Sequence, residues 1–466
     1  MVEMGRSSRR SRWWLWAITL GALLAGAYLL FQPRVERVSP APGAAGVSAT
    51  SPLAIQFNRP MNRSSVEQRL KIEPSIAGQI SWQGNTLRFE PESTWPEGQM
   101  IDVQLLSGAS SALSLPMLSS RSWQFQVSQP SILYLDAQNG QTQLVVQVMT
   151  EDESRLLAEA PLGVVDYGLA MSLSAIITLE PQPDGSTAIL LRDYGGELLE
   201  EVHRCPMEQR CRQPSLSPEA GWLAWQQQSM TRAPSGVLEQ GPWQIQLLKR
   251  EGDQNPIGLS AEGVHSPMWI SENRIAVYSE DQRALLVYEL SSEDQWRQIR
   301  QIDHELGEQW TISPDGRFVV FPDVVLLDEP ERGVEFFSHL FRVELESGLR
   351  TDLSGSGQNL VEDASPAFSP DGLRLAFTRK SLAPEEWSLG RQLWLMQADG
   401  GEARALTNEP NFNYAGIRWH LDGNRLLYVR FDQSRLDASA QIWWYDIDRN
   451  IHQQIIEGGY APQWMP

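Results

Sequence analysis

The sequence predicts an all-β protein that consists mainly of a seven-bladed β-propeller, with a small β-sandwich before it and one N-terminal transmembrane helix. Three observations predict this architecture. A phrase built around an Asp-Gly turn recurs after residue 210, a segment of short alternating strands precedes it, and an uncharged apolar run lies near the N-terminus. A six-bladed propeller is the alternative.

The N-terminal segment predicts a membrane anchor. From Trp13 to Phe31 the chain has 19 residues without a charge, which as a helix would span roughly 28 Å, about the thickness of the bilayer's hydrocarbon core. Residues 1–12 form a basic stub with four arginines. Because positive residues remain on the cytoplasmic side, we expect a cytoplasmic N-terminus, a single pass through the cell membrane and an extracytoplasmic remainder.

A cleaved signal peptide is the alternative to this anchor. Ala25-Gly26-Ala27 offers the small residues of a cleavage site. The apolar run continues directly beyond that site, from Tyr28 to Phe31, and cleavage would leave an apolar new terminus. The retained helix over residues 13–31 is therefore favoured, with the lipid bilayer as its partner.

Residues 35–128 predict a small β-sandwich, because short apolar strands alternate with Pro and Gly turns. The phrase from Phe57 to Asn62 resembles the Phe-Ser-x-Pro-Met-Asp opening of SbsA-type bacterial Ig-like domains, with Asn58 and Asn62 as departures. The strand from Trp82 to Phe89 and the turn from Pro96 to Gly98 extend this resemblance. It implies an Ig-like spacer or adhesion module without catalytic residues.

Residues 131–466 contain the repeats that predict the propeller. The phrase reads SPDGRFVVF from Ser313, SPAFSPDGLRLAF from Ser365 and IRWHLDGNRLLY from Ile417, with weaker copies from Pro214 and Ser266. Asp-Gly between apolar runs favours a tight hairpin, and a second hairpin follows each copy. Strand-only repeats of roughly 40 to 56 residues are typical of propellers. The phrases resemble the WD40-like repeats of TolB-type propellers.

The end of the chain predicts how the ring closes. The terminal phrase YAPQWMP matches only the opening of an inner hairpin. We therefore expect it to pair with the strand near Ser131, which would remove the exposed sheet edges. A degenerate inner hairpin is expected between Asp166 and Leu179.

Charge and cysteine content limit the partners and the compartment. The net charge of -20 argues against a nucleic-acid partner, since phosphates require a basic surface. Cys205 and Cys211 are the two cysteines, and their spacing around Pro206 favours a disulfide in an oxidising compartment. Free thiols and a zinc pair are the alternatives.

The search for catalytic motifs leaves no candidate catalytic residue. The segment from His304 to Glu308 lacks the second His of a zinc-protease motif, and no complete nucleophile elbow occurs. Asp315, Asp371 and Asp422 occupy the same place in successive repeats, which indicates turn formers. We therefore expect no cofactor and no metal.

The long connections between the second and third strands predict a partner-binding face, because such connections emerge on one side of a propeller. They begin near Gln227, Asp323, Lys380 and Asp432, and the links between blades, such as the one from Asn408, are expected on the same face. The candidate partner-binding residues of this face are Trp387, Phe412, Tyr414 and Arg435, as aromatic and Arg side chains dominate interface energies.

The sequence leaves more than one function open. The favoured hypothesis is a membrane-anchored extracytoplasmic binding or scaffold protein of the bacterial cell envelope, whose partner is an envelope protein, a peptide or a glycan. The alternative is an envelope enzyme, a hydrolase or lyase, with its site in the propeller channel. A signalling receptor would need a separate membrane partner, because the cytoplasmic stub is short.

Overall fold

The computed structural model describes most of the chain after the N-terminal segment. The described residues are 32–465 without 45, 139, 150–153, 159, 234–236, 253–254, 293–294, 308, 330–332 and 356–358. The predicted stub at 1–12 and the predicted transmembrane helix at 13–31 lie outside them. No helix within the described residues is long and apolar enough to span a bilayer. The chain divides into two compact units after Gln129.

The N-terminal unit consists of two antiparallel sheets and a short helix. One sheet contains, in order, β1 (Val35–Ser39), β2 (Leu53–Phe57), β5 (Thr86–Pro91) and β4 (Gly78–Gln83). The other contains β3 (Leu70–Glu73), β6 (Met100–Leu105) and β7 (Arg121–Gln126). The helix α1 (Arg63–Glu67) lies between β2 and β3.

Alternation of side chains gives this unit its core. In β6, Ile101, Val103 and Leu105 are buried while the residues between them are exposed, as expected for a strand with one face on a core. Trp95 is fully buried; its indole N–H donates to the Ser51 carbonyl at 2.7 Å. The unit is therefore a β-sandwich, as predicted.

The two departures from the Ig-like phrase form local hydrogen bonds. The Asn62 side chain accepts a hydrogen bond from the Ser65 N–H at 3.1 Å and caps α1, a role for which Asn is well suited. The Asn58 Oδ1 accepts from the Arg34 N–H at 2.9 Å. Both asparagines thus stabilise the chain segments around the motif.

The second unit is built from antiparallel sheets, each named here by a letter. Sheet A contains β35 (Tyr460–Met465), β8 (Ser131–Gln138), β9 (Gln141–Val148) and β10 (Ser154–Leu156). Sheet B contains β11 (Asp166–Ala170), β12 (Ala175–Pro181), β13 (Thr187–Asp193) and β14 (Leu198–Cys205). Sheet C contains β15 (Gln209–Leu216), β16 (Trp222–Arg232), β17 (Leu238–Lys249) and β18 (Ile257–Gly258). Sheet D contains β19 (Val264–Ser271), β20 (Arg274–Ser279), β21 (Ala284–Leu290) and β22 (Trp296–Asp303).

The remaining strands continue this order. Sheet E contains β23 (Thr311–Ile312), β24 (Phe318–Glu329), β25 (Gly333–Glu344) and β26 (Arg350–Asp352). Sheet F contains β27 (Val361–Phe368), β28 (Arg374–Ser381), β29 (Gln392–Gln397) and β30 (Arg404–Ala405). Sheet G contains β31 (Phe412–Trp419), β32 (Arg425–Asp432), β33 (Gln441–Asp446) and β34 (Ile451–Glu457). Sheets E and F are continuous through one parallel pairing of Ser338 with Glu362.

The Asp-Gly turns form the first hairpin of a sheet as predicted. In the turn between β23 and β24, the Asp315 carboxylate accepts from the Ser313 hydroxyl at 2.6 Å and from the Arg317 N–H at 3.0 Å. Gly316 adopts a φ of 69°, which a residue with a Cβ tolerates poorly. Asp371 and Asp422 accept backbone N–H groups in the same way. These aspartates are turn formers.

The closing strand pairs as the terminal phrase predicts. The last strand, β35, runs antiparallel to β8, with Trp464 opposite Ile132 and Tyr460 opposite Leu135. On one face of sheet A, Ile132 packs in a cluster with Leu427 of sheet G. On the other face, Leu133 packs in a cluster with residues of sheet B. The sheets therefore form a closed ring, the arrangement of a β-propeller.

Two predicted irregular connections are wrong, because the structure pairs them as strands. The hairpin of β16 and β17 extends to the pairing of Arg232 with Leu238, across the connection that was expected from Gln227 onward. The hairpin of β24 and β25 likewise covers the connection expected from Asp323 onward. In the β24–β25 hairpin, valine, leucine and phenylalanine on both sides of the turn favour continued strand pairing.

Candidate functional site

The inner strands of the propeller share a bulge that shapes a central cavity. One residue with positive φ lies in each of five inner strands: Gln213 (49°), Ser266 (54°), Ser365 (49°), Gly416 (64°) and Ala461 (51°). Each coincides with a register shift against the neighbouring strand. A bulge redirects the side chains that follow it. All except Gly416 precede a proline.

The cavity has a volume of about 970 Å³. It is lined by residues of β11, β15, β19, β23, β27, β31 and β35, so it lies where the inner strands of all the lettered sheets meet. Its wall combines Ser, Thr and Gln side chains with apolar and aromatic ones, among them Met268, Trp310, Phe368 and Trp419. This volume and composition are typical of pockets that bind organic ligands.

Two ionisable residues of the wall serve the fold. The Asp166 carboxylate accepts the N–H groups of Gln213 and Tyr167, both at 2.9 Å. Burial raises the pKa of Asp166, although these hydrogen bonds oppose the shift. The Tyr167 hydroxyl donates towards the carbonyls of Ala461 and Leu133, and burial raises its pKa well above 10. Both side chains connect neighbouring inner strands.

Arg418 is the cation of this wall. It lies in β31, two residues after the bulge at Gly416. The guanidinium donates to the Ile417 carbonyl at 3.0 Å. Its position inside the ring lowers its pKa from the usual value, while the nearby Tyr167 hydroxyl opposes that shift. Among the residues that the structure describes, no group of three or more His, Cys, Asp or Glu could hold a metal ion.

Two residues of the predicted partner-binding face are exposed. Trp387 lies in the connection between β28 and β29, is 55% exposed and has the Lys380 ammonium 5.3 Å from its ring. Arg435 lies in the connection between β32 and β33 and is 3.4 Å from Asp437. Both connections join the second and third strands of their sheets, so they emerge on the same side of the ring. Partner contact by these residues stays a prediction.

The other two residues of that face are integrated into sheet G. Tyr414 is 1% exposed, and its hydroxyl donates to Glu409. It is therefore not an exposed anchor, because its position in β31 directs it into the core. Phe412 is half-buried, with the Arg430 guanidinium 4.2 Å from its ring. The same guanidinium lies 3.6 Å from the Trp443 ring and pairs with Glu409.

The extended hairpins carry exposed apolar side chains that sequence reasoning missed. Leu326 and Phe336 are cross-strand partners in the hairpin of β24 and β25 and are 61% and 69% exposed. Val237 and Leu238, at the turn of the β16–β17 hairpin, are also exposed. For the β24–β25 hairpin, the signal was the dense apolar composition of the segment from Asp323 to Ser338. Together with Trp387, these side chains form the apolar tips of one face.

Cys205 and Cys211 form a disulfide with an S–S distance of 2.04 Å. Cys205 ends β14 and Cys211 lies in β15, so the bond closes the short connection between sheets B and C. Both residues are buried within the apolar cluster between these sheets.

Comparison with known families identifies the N-terminal unit. Residues 31–127 match the model of the bacterial Ig-like domain. This segment is a bacterial Ig-like domain. The predicted resemblance is thereby confirmed for the Ig-like domain, while its SbsA type stays a prediction. No curated protein matches the chain in sequence.

Solved structures are similar to the chain at low identity. TolB from Acinetobacter baumannii has 11% identity and a TM-score of 0.40, with 93% of this chain and 99% of that chain covered. A putative TolB from Agrobacterium tumefaciens has 18% identity and a TM-score of 0.37, with 56% and 86% covered. A puromycin-hydrolyzing peptidase from Mycobacterium tuberculosis has 12% identity and a TM-score of 0.49, with 89% and 57% covered. The Ig-like domain is followed by the closed ring of sheets A to G, and the TolB type of this propeller stays a prediction.

Proposed function

We propose that this protein is a membrane-anchored, extracytoplasmic binding or scaffold protein of the bacterial cell envelope, and that the apolar tips of its propeller contact a protein partner. Residues 13–31 form the anchor, and the basic stub at 1–12 stays in the cytoplasm. The uncharged run and the arginines before it support this topology. The Ig-like domain acts as the spacer between membrane and propeller.

We also infer that the propeller has seven blades, which correspond to sheets A to G. Each of these sheets contains four strands. Apolar clusters join consecutive pairs of sheets in a cycle, from A and B to G and A. A closed ring of this kind provides the rigid scaffold that a recognition surface requires.

The exposed apolar tips are the observation that supports binding of a protein partner. Leu326 and Phe336 lie side by side across a hairpin and expose most of their surface. The extended hairpins and Trp387 belong to connections on the same side of the ring. Exposed apolar groups that cluster on one side of a soluble domain mark interaction surfaces. Aromatic side chains in such a cluster supply much of the affinity when a protein partner buries them.

The described cavity supports binding over catalysis. A general acid–base pair needs side chains that are free to exchange protons with a substrate. The carboxylate in the wall, Asp166, accepts two backbone N–H groups, and the Tyr167 hydroxyl is committed to carbonyl acceptors. These groups hold strands together, and we propose that the protein is not an enzyme.

A matched pair of variants tests the partner surface. The double variant Leu326→Ser/Phe336→Ser should lose crosslinking to its envelope partner, since it removes exposed apolar area without disturbing the core. Leu373→Ser is the control, because Leu373 is 65% exposed in the turn at the opposite end of β28. Crosslinked partners are compared in intact envelopes. Identical crosslinks in wild type and the double variant would exclude these tips as the contact surface.

Protease accessibility tests the topology. In intact spheroplasts, an external protease should degrade the propeller while a tag at residue 1 stays protected. Protection of both parts would contradict the extracytoplasmic location. Release of the protein by a high-salt wash would contradict the anchor.

A further inference from the structure

The central cavity contains a cation without a neutralising partner among the described residues. Arg418 donates one hydrogen bond, to the adjacent Ile417 carbonyl, and the side chain is exposed to the cavity. A guanidinium carries five N–H donors. Most of its donors therefore point to no acceptor of the described chain. A guanidinium with donors that face a cavity in this way favours an incoming anion.

The repeat shows that the fold does not require this charge. The residues that occupy the same place after the bulge in four other inner strands are Ser215, Met268, Ala367 and Gln463. All of them line the cavity, and all are neutral. The closed ring thus accepts small, apolar and amide side chains at this place. Arg418 is the exception, which indicates a role in binding rather than in folding.

We propose that Arg418 forms a subsite for the carboxylate group of an organic ligand inside the ring. The planar guanidinium matches a carboxylate through two parallel N–H···O bonds. For the apolar part of the ligand, the wall supplies the partly exposed side chains of Met268, Phe368 and Trp419. The site lies inside the ring and does not depend on the apolar tips proposed above as a partner surface.

The charge of the wall selects a monoanion. The ionisable groups of the wall include one guanidinium and one carboxylate, Arg418 and Asp166. Among the described residues of the wall, a carboxylate ligand pairs with the Arg418 guanidinium, whereas a phosphate dianion would leave a second negative charge without a partner in a confined space. The acidic chain as a whole, with a net charge of -20, disfavours a dianion further.

Benzoate and its neutral analogue benzamide test the subsite. Their binding to the purified full chain is measured by saturation-transfer NMR titration at constant ionic strength. Benzoate should bind at least about tenfold more tightly than benzamide, and Arg418→Gln should remove that preference. The Gln variant is compatible with the ring, because Gln463 occupies the same place in β35. Arg449→Gln is the control for loss of one positive charge, because the Arg449 side chain is 75% exposed and lies outside the cavity wall, and this variant should bind benzoate as wild type does.

Several outcomes would overturn the inference. Equal affinity of the wild type for benzoate and benzamide would do so without any variant. Unchanged benzoate binding by Arg418→Gln would place the ligand elsewhere. Displacement of benzoate by inorganic phosphate at equal concentration would contradict the selection of a monocarboxylate. Arg418→Lys retains the positive charge but lacks the two parallel N–H donors of the guanidinium. This variant should bind benzoate more weakly than wild type.

Discussion

Buried charges determine much of the behaviour of this protein at the scale of single residues. Asp363 is fully buried and accepts two parallel hydrogen bonds from Arg379, both at 2.7 Å. The Ser354 hydroxyl donates to the same carboxylate. Such a pair is stable because each charge is satisfied, and the loss of one partner leaves the other buried and uncompensated.

Removal of the Asp363 carboxylate should therefore be costly. We expect Asp363→Ala to lower the free energy of unfolding by about 3–5 kcal/mol, since the Arg379 guanidinium would remain buried without its partner. The matched control is Asp437→Ala, which removes an exposed carboxylate near Arg435 and should leave stability almost unchanged. Urea unfolding measures both. Equal effects of the two substitutions would show that the buried pair does not stabilise the fold.

A second buried group predicts a pH dependence. His339 is fully buried, with Nδ1 2.9 Å from the Asp352 carboxylate and Nε2 2.8 Å from the Asn359 carbonyl. Both partners are acceptors, so the ring satisfies both only as the doubly protonated imidazolium. Burial alone lowers the pKa of His339, but these hydrogen bonds and the charges of Asp352 and Asp363 outweigh it and raise the pKa above 6.5.

The sign of the effect follows from this shift. A raised pKa in the folded state stabilises the protein below the unfolded pKa of about 6.5 and loses that contribution as the pH rises through the folded pKa. We expect the stability difference between wild type and His339→Asn to shrink as the pH rises from about 6 upward. Urea unfolding across this range measures it. A difference that is constant with pH would contradict a charged His339.

At the scale of elements, side chains from one sheet close the turns of its neighbour. The Glu272 carboxylate, in the turn of sheet D, accepts from the Ser217 hydroxyl at 2.9 Å. It also accepts the N–H groups of Glu219 at 2.8 Å and Gly221 at 3.1 Å, which belong to the turn of sheet C. The first hairpins of sheets C and D are thereby fixed to each other.

The disulfide links sheets B and C in a comparable way, and its loss should be measurable. Because it closes a loop with a sequence separation of 6, the chain-entropy model gives about 2–3 kcal/mol of stabilisation. We expect Cys205→Ala/Cys211→Ala to unfold at a lower temperature than wild type. Reductant should lower the melting temperature of wild type only. A wild type that is insensitive to reductant would contradict a stabilising disulfide.

At the scale of the whole molecule, the ring depends on its last strand. Trp464 in β35 is buried, and its indole N–H donates to the Arg418 carbonyl at 3.2 Å in sheet G. The ring of His420 packs edge-on against it at 4.8 Å. The same strand pairs with β8, so it contacts sheet A and sheet G, the two sheets that meet where the ring closes.

Deletion of residues 460–466 should therefore open the ring. The inner edge of β8 would lose its partner, and an unpaired edge strand promotes association between molecules. We expect oligomers by size-exclusion chromatography with light scattering. Trp464→Ala keeps the strand and should remain monodisperse. Its free energy of unfolding should be about 3–5 kcal/mol lower than that of wild type. A monodisperse deletion variant with unchanged stability would contradict closure by β35.

Local chemistry in the sequence determined the hairpins, the Asp-Gly turns and the pairing of the last strand, β35, with the first strand of the propeller, β8. These features depend on turn residues and on a two-residue alternation, both of which are readable within a short segment. The same reasoning identified the Ig-like phrase around Phe57.

Only the tertiary structure decided which side chains face the cavity, which lie on the exposed tips and which are buried. The bulge at Gly416 redirects the side chains that follow it, so Arg418 lines the cavity, whereas Tyr414, before the bulge, packs in the core between sheets F and G. Leu326 and Phe336 became neighbours because the strands continued through a presumed loop. These outcomes depend on contacts between segments distant in sequence, which no local pattern encodes.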